Sequence, residues 1–517
     1  MGIPSYFKRL TDSIPGLVSS RIEGPVTHLL FDFNCIVYGC LRSAKLPVFQ
    51  HETRGEWEAA LCEEICEEVV RLWTVAGKPS HVFVAVDGVV PMAKIKQQRM
   101  RRFKSVWLAA QEAAHGVRNP EEPRWDTNAI TPGTEFMGRL GARLQKLCAS
   151  RKWHVSTSDG PGEGEHKVMA WLRAHRPSEP GAIVIYGLDA DLILLAALAQ
   201  EFTLTAENRC YLFREAAEFG GGRGTSTEKS YLYLSIPKLI ESLCGSSGSP
   251  TTQQFLLDYC VGMSLLGNDF LPHGLLLRIR DGGHDVLLET IRQFESKQKW
   301  LVDRETLTVN WETLKEFLAE LAKTEDADLV HAIQKKKRTR PMVPRNEAER
   351  LMEAVQKLPL EWFVEREFLH SDGSLRDDWM DVYRVHVPPE AVAEYQQGLQ
   401  WILDYYMGNP VNCFWFYPWH LPPLFSDLVT GTRSANDPPP PQGTENPLQP
   451  AEQLAMVLPL ESWHLIANRK LRALPSLLPQ FWPSRFEFMS HGRLWMWECE
   501  ADIPILTPGR LRSTVSI

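Results

Sequence analysis

The stretch from Asp159 to Leu195, DGPGEGEHKVMAWLRAHRPSEPGAIVIYGLDADLILL, leaves this chain little freedom in how it can fold. Its run AIVIY (182–186) has the unbroken apolar character of a strand buried on both faces, which implies helices on either side of a parallel sheet. GLDAD follows where such a strand hands over to the next helix, and ligands of open α/β sheets lie outside the carboxyl ends of the strands. Asp189 and Asp191, two residues apart, are placed there to share a cation. Glu163 and Glu165 stand at a Gly-punctuated helix start, where the helix dipole also favours negative charge. Each acid alone reads equally as helix N-terminal charge or, for Asp189, as an N-cap. Four together beside a buried strand read as a metal site.

The same design recurs upstream. THLLFDFNCIVYGC (27–40) opens with a strand-like run that ends at Asp32, and HVFVAVDG (81–88) ends at Asp87. Between them, residues 57–77 carry apolar residues at helical spacing and end in Gly, which predicts a crossover helix and a βαβ unit. After Asp87 a long helix begins near Pro91 and carries six cations in eleven residues. A further helix is expected over 128–150, then a strand at KWHVSTS, and an apolar helix from 255 that breaks at the GNDF turn holding Asp269. The fold class is therefore α/β, with a mostly parallel central sheet flanked by helices. An additional C-terminal region is helical and aromatic-rich. The expected division is a region with the metal site over 1–283, a charged helical connecting region over 284–384, and a region over 385–517 that packs on the first and completes it. Surface loops are expected at 220–224 and 245–252, and a mobile Pro-rich loop at 434–450. QKKKRTRP (334–341) reads as a solvated loop, a phosphate-binding loop or a nuclear-import signal.

A net charge of −8 does not advertise a nucleic-acid binder, so any such role has to come from local basic patches. Ten scattered cysteines without CxxC or Cys/His pairing argue against zinc and fit a reducing, intracellular setting. Within it the cytoplasm is expected before the nucleus. MGIPSYFKRL lacks a signal pattern, and no apolar run approaches the ~18–20 residues of a membrane helix, so no membrane association is expected.

Acids in strand-end or turn positions number seven: Asp32, Asp87, Glu163, Glu165, Asp189, Asp191 and Asp269. A carboxylate cluster without His or Cys suits one or two Mg²⁺ ions, or Mn²⁺. Two such ions ~4 Å apart would serve phosphodiester hydrolysis. Phosphoryl transfer to another acceptor is less favoured, because the chain has no Walker-type phosphate loop. At ~100° per residue, Lys94, Gln98, Arg101 and Arg102 share one helix face, while Lys96 and Arg99 point elsewhere. Three cations and an amide beside a metal cluster can hold a terminal phosphate, although a basic helix face alone is commonly just solvated.

At this point the chain resembles the XRN family of 5′→3′ exoribonucleases, through FDFN, DGVVPMAKIKQQRMRRF, NAITPGTEFM, PGEGEHK, YGLDADLI and GNDFLPH. The resemblance continues through YQQGLQWILDYYMG, NCFWFYPWHLPP, AEQLAMVLP and WECEADIPIL, and so covers nearly the whole chain as a minimal catalytic core. It implies a PIN/flap-nuclease-like body in which the seven acids ligand two Mg²⁺ ions. It also implies a 5′-monophosphate pocket on Lys94, Gln98, Arg101 and Arg102, and single-stranded RNA as the partner of a monomeric, processive enzyme that releases nucleoside 5′-monophosphates. The family's base-stacking clamp falls on Tyr38, where a His is usual, and on Trp415. Cys35 stands for a usual Gly and Met92 for a usual Arg. A structure-specific flap-type DNA nuclease and a non-catalytic RNA-binding scaffold are the alternative readings. The first lacks a Gly-rich helical hairpin for duplex DNA, and the second is at odds with an intact acid set.

Overall fold

The protein is described from a computed structural model that covers residues 3, 5–187, 189–216, 230–244, 250–340, 342–431, 433 and 448–515. Its centre is a seven-stranded sheet in the order β1-β7-β6-β5-β2-β3-β4. The strands are β1 (Val18–Ser19), β2 (Val26–Asp32), β3 (His81–Ala85), β4 (His154–Ser156), β5 (Gly181–Tyr186), β6 (Asn208–Glu215) and β7 (Tyr231–Ser235). The five strands β6-β5-β2-β3-β4 pair in parallel, and β7 and then β1 add antiparallel at one edge. The sheet is thus mostly parallel, as the apolar runs require.

Among the described residues, seven helices belong to this part of the chain. They are α1 (Tyr6–Ser13), α2 (Asn34–Cys40), α3 (Arg54–Val75), α4 (Met92–Ala114), α5 (Glu135–Arg151), α6 (Gly164–His175) and α7 (Asp191–Phe202). The chain leaves β2 for β3 and β4 on one side, then returns to place β5 on the other side of β2. That reversal makes a topological switch point between β2 and β5, and a crevice opens at their carboxyl ends. Both faces of the sheet are covered. Leu29, Phe31, Val82, Val84 and Val184 pack under α3 and α5, and Leu30, Ile183, Ile185 and Leu212 pack under α6, α7 and the helix Pro250–Leu265. This second layer continues through Leu287 and Phe317 to Tyr395 and Tyr417, so one apolar core runs through all three sequence segments. The back of α4, with Ile95, Met100 and Phe103, packs instead on C-terminal residues such as Leu454, Val457, Ile503 and Leu511. Among the described residues no helix is long and apolar enough to cross a membrane.

Four local expectations change. The helix expected over 128–150 starts only at Glu135, because Thr134 caps it by accepting from the Met137 N–H at 3.3 Å, and a 3₁₀ turn occupies Thr127–Ala129. The loop expected over 245–252 ends sooner, since helix begins at Pro250, while 245–249 and the expected loop at 220–224 lie outside the described residues. The Pro-rich loop expected over 434–450 likewise gives way to helix at Pro450, with 434–447 outside the described residues. The basic run from 334 is not a solvated loop. It ends the helix Glu325–Arg338, where cations suit the dipole, and Lys336 is buried against both Glu365 oxygens at 2.7 and 2.9 Å.

Candidate active site

The crevice at the switch point is a cavity of about 880 Å³, and six of the seven predicted acids line it; the seventh, Asp191, lies buried beside them. Asp32 closes β2, Asp87 lies two residues beyond β3, Glu163 and Glu165 flank the first residue of α6, and Asp191 opens α7. Asp269 follows the helix Pro250–Leu265 in a turn that begins at Gly267 with φ 85°, a left-handed conformation suited to glycine. Five of the acids fall into two overlapping groups. Ligand oxygens of Asp32, Asp87 and Glu165 lie within 4.8 Å of one another, and so do those of Glu165, Asp189 and Asp191. Glu165 belongs to both. Gly164 makes the crowding possible, since a Cβ there would sit 2.4 Å from Asp32 Oδ1.

Several groups hold the acids in place. Asp87 accepts from Asn34 Nδ2 at 2.8 Å and from the Gly164 N–H at 2.7 Å. The Tyr405 hydroxyl donates to Glu163 at 3.0 Å, and its ring stacks on His166 at 3.8 Å. Arg214, reaching from β6, donates to the carbonyls of Gly187 and Asp189 at 2.9 Å and fixes the turn after β5. Gln453, from the helix Pro450–Val457, lines the cavity and accepts from the Val90 N–H at 2.8 Å. Tyr405, Arg214 and Gln453 were not singled out in the sequence. Only the tertiary fold brings them to the acids: Tyr405, for one, lies 242 positions from Glu163.

Electrostatically the site is over-supplied with negative charge. Burial pushes the Asp32 and Glu165 carboxyls well above the usual carboxylate range, and the neighbouring acids push them further. Burial, reinforced by Asp189 and Asp269, raises Asp191 to about 7 against the pull of Lys94. Asp191 Oδ1 is also buried without a hydrogen-bond partner. Such a set of hard oxygen donors, crowded and under-compensated, fits one or two divalent cations of the Mg²⁺ or Mn²⁺ kind. The buried Lys94 ammonium bridges Glu163 and Asp269, at 2.7 Å from Asp269, yet burial still raises the Glu163 carboxyl. Burial disfavours the charge of Asp269, yet Lys94 outweighs it and holds that carboxyl low.

The opposite wall is α4. Lys94, Gln98, Arg101 and Arg102 all face the cavity. Lys96 and Arg99 do point elsewhere: Lys96 donates to the carbonyls of Tyr417 and Trp419 at 2.7 and 2.8 Å, and the fully buried Arg99 to those of Pro504, Met456 and Phe481. On the cavity side, Arg102 Nη1 donates to Asn128 Oδ1 at 2.9 Å, while Arg102 Nε and Gln98 Oε1 are buried without partners. Burial lowers Arg102 to about 10. One expectation shifts here: Lys94 spends its ammonium on the acids, which leaves Arg101, Arg102 and Gln98 as the groups open to an anion.

The two expected stacking residues part company. Tyr38, on α2, is 41% exposed and lines the cavity. Trp415 is 6% exposed and does not line it. Its ring packs on Trp401 at 5.1 Å and against Gly398, and its Nε1 donates to Glu394 at 3.0 Å, so it is a satisfied core residue rather than a stacking platform.

Comparison with known proteins points the same way. The family model of the XRN 5′-3′ exonuclease N-terminus matches residues 1–215, and that of the Xrn1 helical domain matches residues 381–516. Among curated relatives, the 5′-3′ exoribonuclease 1 of Homo sapiens is 26% identical over 99% of this chain and 34% of its own length. The 5′-3′ exoribonuclease 2 of Arabidopsis thaliana is 25% identical over 99% of this chain and 66% of its own length. The 5′-3′ exoribonuclease 1 of Saccharomyces cerevisiae is 33% identical over 57% of this chain and 21% of its own length. The chain thus spans between a fifth and two thirds of the length of these relatives.

Proposed function

The chain belongs to the XRN family of 5′→3′ exonucleases, and from that premise we propose that it degrades single-stranded RNA processively from a 5′-monophosphate end, releasing nucleoside 5′-monophosphates. The observation that carries the reading is a single cavity with an acid wall at the strand ends and a cation wall on α4. The relatives' names as 5′-3′ exoribonucleases agree with it.

Asp32, Asp87 and Glu165 would hold one divalent cation and Glu165, Asp189 and Asp191 a second, with Mg²⁺ the fitting ion and Mn²⁺ its substitute. When bound, the ions would supply an acidified water and charge stabilisation for the leaving oxygen. The chain's own residues set the geometry. Asn34, the Gly164 N–H, Tyr405 and Arg214 fix carboxylates and turn so that little reorganisation is needed at the moment of reaction. Lys94 compensates Glu163 and Asp269 and keeps the bed of the site from carrying its full negative charge. Arg101, Arg102 and Gln98 receive the terminal phosphate, which sets the register of the scissile bond. Tyr38 offers its face to a leading base, and stacking without base-edge hydrogen bonds suits an enzyme that must pass through any sequence.

The test is degradation of 5′-monophosphorylated RNA labelled at either end, beside the matching DNA and a flap-structured DNA, with Mg²⁺ and with EDTA. Mononucleotide should be the first labelled product from the 5′ label and should appear from the 3′ label only as whole strands are consumed, on RNA only, and only with the ion. Cleavage of the flap substrate in preference to RNA would favour the DNA-nuclease alternative, and RNA binding without cleavage would favour a scaffold.

A further inference from the structure

Glu367, His386 and His491 come together from three separate segments and do not line the acid cavity. Glu367 belongs to the 3₁₀ turn Val364–Phe368, His386 follows the helix Trp379–Arg384, and His491 follows the short strand Glu487–Met489. Nε2 of His386 and Nε2 of His491 converge on the same oxygen, Glu367 Oε1, at 3.1 and 2.6 Å. The two rings are 4.7 Å apart between centroids. On its other side, His491 Nδ1 lies 3.3 Å from the Met489 sulfur.

Donor and acceptor accounting singles this cluster out. A carboxylate oxygen only accepts, and a thioether sulfur only accepts. One carboxylate oxygen can accept from both imidazoles, so the cluster closes as hydrogen bonds only if both rings turn a donor to Glu367 Oε1. A cation between the three groups would instead meet two imidazole lone pairs and the carboxylate, with no element of the fold moved.

We propose that Glu367, His386 and His491 form a binding site for one divalent transition-metal ion of the zinc class, separate from the acid cavity. His491 then stays neutral, keeps its proton on Nδ1 towards Met489 and turns the Nε2 lone pair to the ion. The ligand edges of a tetrahedron with ~2.0 Å bonds are ~3.3 Å long, so the 3.1 Å spacing already fits and the 2.6 Å spacing opens by roughly 0.7 Å. Two imidazoles and one carboxylate suit zinc, whereas the all-carboxylate cavity suits magnesium. The His386 and Glu367 side chains are 29% and 34% exposed, which leaves a solvent-facing position for water. The ion would tie the connecting region to the C-terminal segment that holds the back of α4. There Lys104 donates to the carbonyls of Trp497 and Cys499 at 2.9 and 2.7 Å, and Arg99 to that of Pro504 at 3.0 Å. A neighbouring bond makes the same link without a metal, as the Gly492 N–H donates to Glu365 at 2.6 Å.

The test uses the full chain, stripped with chelator, reloaded with Zn²⁺ or Co²⁺ in excess Mg²⁺ to occupy the cavity, and then desalted. The parent and Glu165→Gln should each retain one zinc, show the intense visible absorption of tetrahedral Co²⁺, and gain thermal stability with Zn²⁺. His386→Ala should lose all three. Glu367→Gln, which keeps the side-chain shape, should weaken zinc retention by at least tenfold and serves if the alanine protein folds poorly. Equal zinc in the parent and His386→Ala, no retained zinc in the parent, or loss only in Glu165→Gln would each overturn the proposal.

Discussion

The two walls of the cavity are built on different physics. The acid wall gathers seven carboxylates at the ends of buried elements, where burial and mutual repulsion oppose their charges and Lys94 compensates two of them. The cation wall spreads its groups along one helix face, where Arg101 and Arg102 are half-buried. The back of the same helix shows what a structural cation looks like: Arg99 is fully buried with three carbonyl partners, whereas Arg102 Nε and Gln98 Oε1 have none. Unsatisfied groups at a cavity mark where a ligand completes the structure; satisfied ones mark where the fold is already complete.

That contrast is broken most severely at Glu165, the residue shared by both acid groups. Glu165→Gln should lower the rate on 5′-monophosphorylated RNA by roughly 10³-fold or more, while the metal-free protein becomes more stable by about 0.5–2 kcal/mol because repulsion is relieved. Single-turnover kinetics and chemical denaturation check the two halves. A smaller but selective effect is expected on the other wall. Arg101→Ala combined with Arg102→Ala removes charge-assisted bonds worth ~1.5–3 kcal/mol each, and should cut the preference for 5′-monophosphate over 5′-hydroxyl RNA by about 10²-fold with stability nearly unchanged. An equal loss on both RNAs would turn these arginines into general supports.

Tyr38→Ala sharpens the comparison further, since this ring belongs to neither wall. Loss of one stack, ~1–3 kcal/mol, should shorten the run of nucleotides removed per encounter and leave the end preference intact. Unchanged run lengths with a lowered melting temperature would make Tyr38 a packing residue. The mildest effect is one of pH. The Asp191 carboxyl is raised from its ordinary value to about 7 in the folded chain, so the charged form is disfavoured by folding above that pH. As pH falls through 7 the folded chain binds a proton that the unfolded chain does not, and this contribution makes the folded state more stable. Melting of the metal-free protein should therefore be higher at pH 6 than its other groups alone would give, and saturating Mg²⁺ should flatten the difference. An identical pH slope in Asp191→Asn would contradict this.

The acid wall was legible because strand ends are marked by unbroken apolar runs, and DGPGEGE and GLDAD place charge at those ends. The cation wall was legible from helical periodicity, which also separates Lys96 and Arg99 from the cavity. Residues that reach the site from far along the chain were not. Tyr405 and Glu163 are 242 positions apart, and no local pattern couples them. Trp415 failed for the opposite reason: FWFYPW holds several rings, and composition does not say which face a rim and which fill the core. The run from 334 read as a loop because its charge hid the helix that Leu329 and Ile333 anchor. Burial of Lys336 by Glu365 is likewise a tertiary event.

The central claim is that one wall reads the RNA end while the other cuts. It is tested most directly by single-turnover rates of the unaltered protein on one RNA sequence carrying a 5′-monophosphate, a 5′-hydroxyl or a 5′-triphosphate, with Mg²⁺ saturating. The account predicts rapid release of the first nucleotide from the monophosphate, a rate lower by at least about 10²-fold from the hydroxyl for want of charge-assisted bonds, and slow release from the triphosphate, which is too large for the pocket. Equal rates on the monophosphate and hydroxyl RNAs would contradict it.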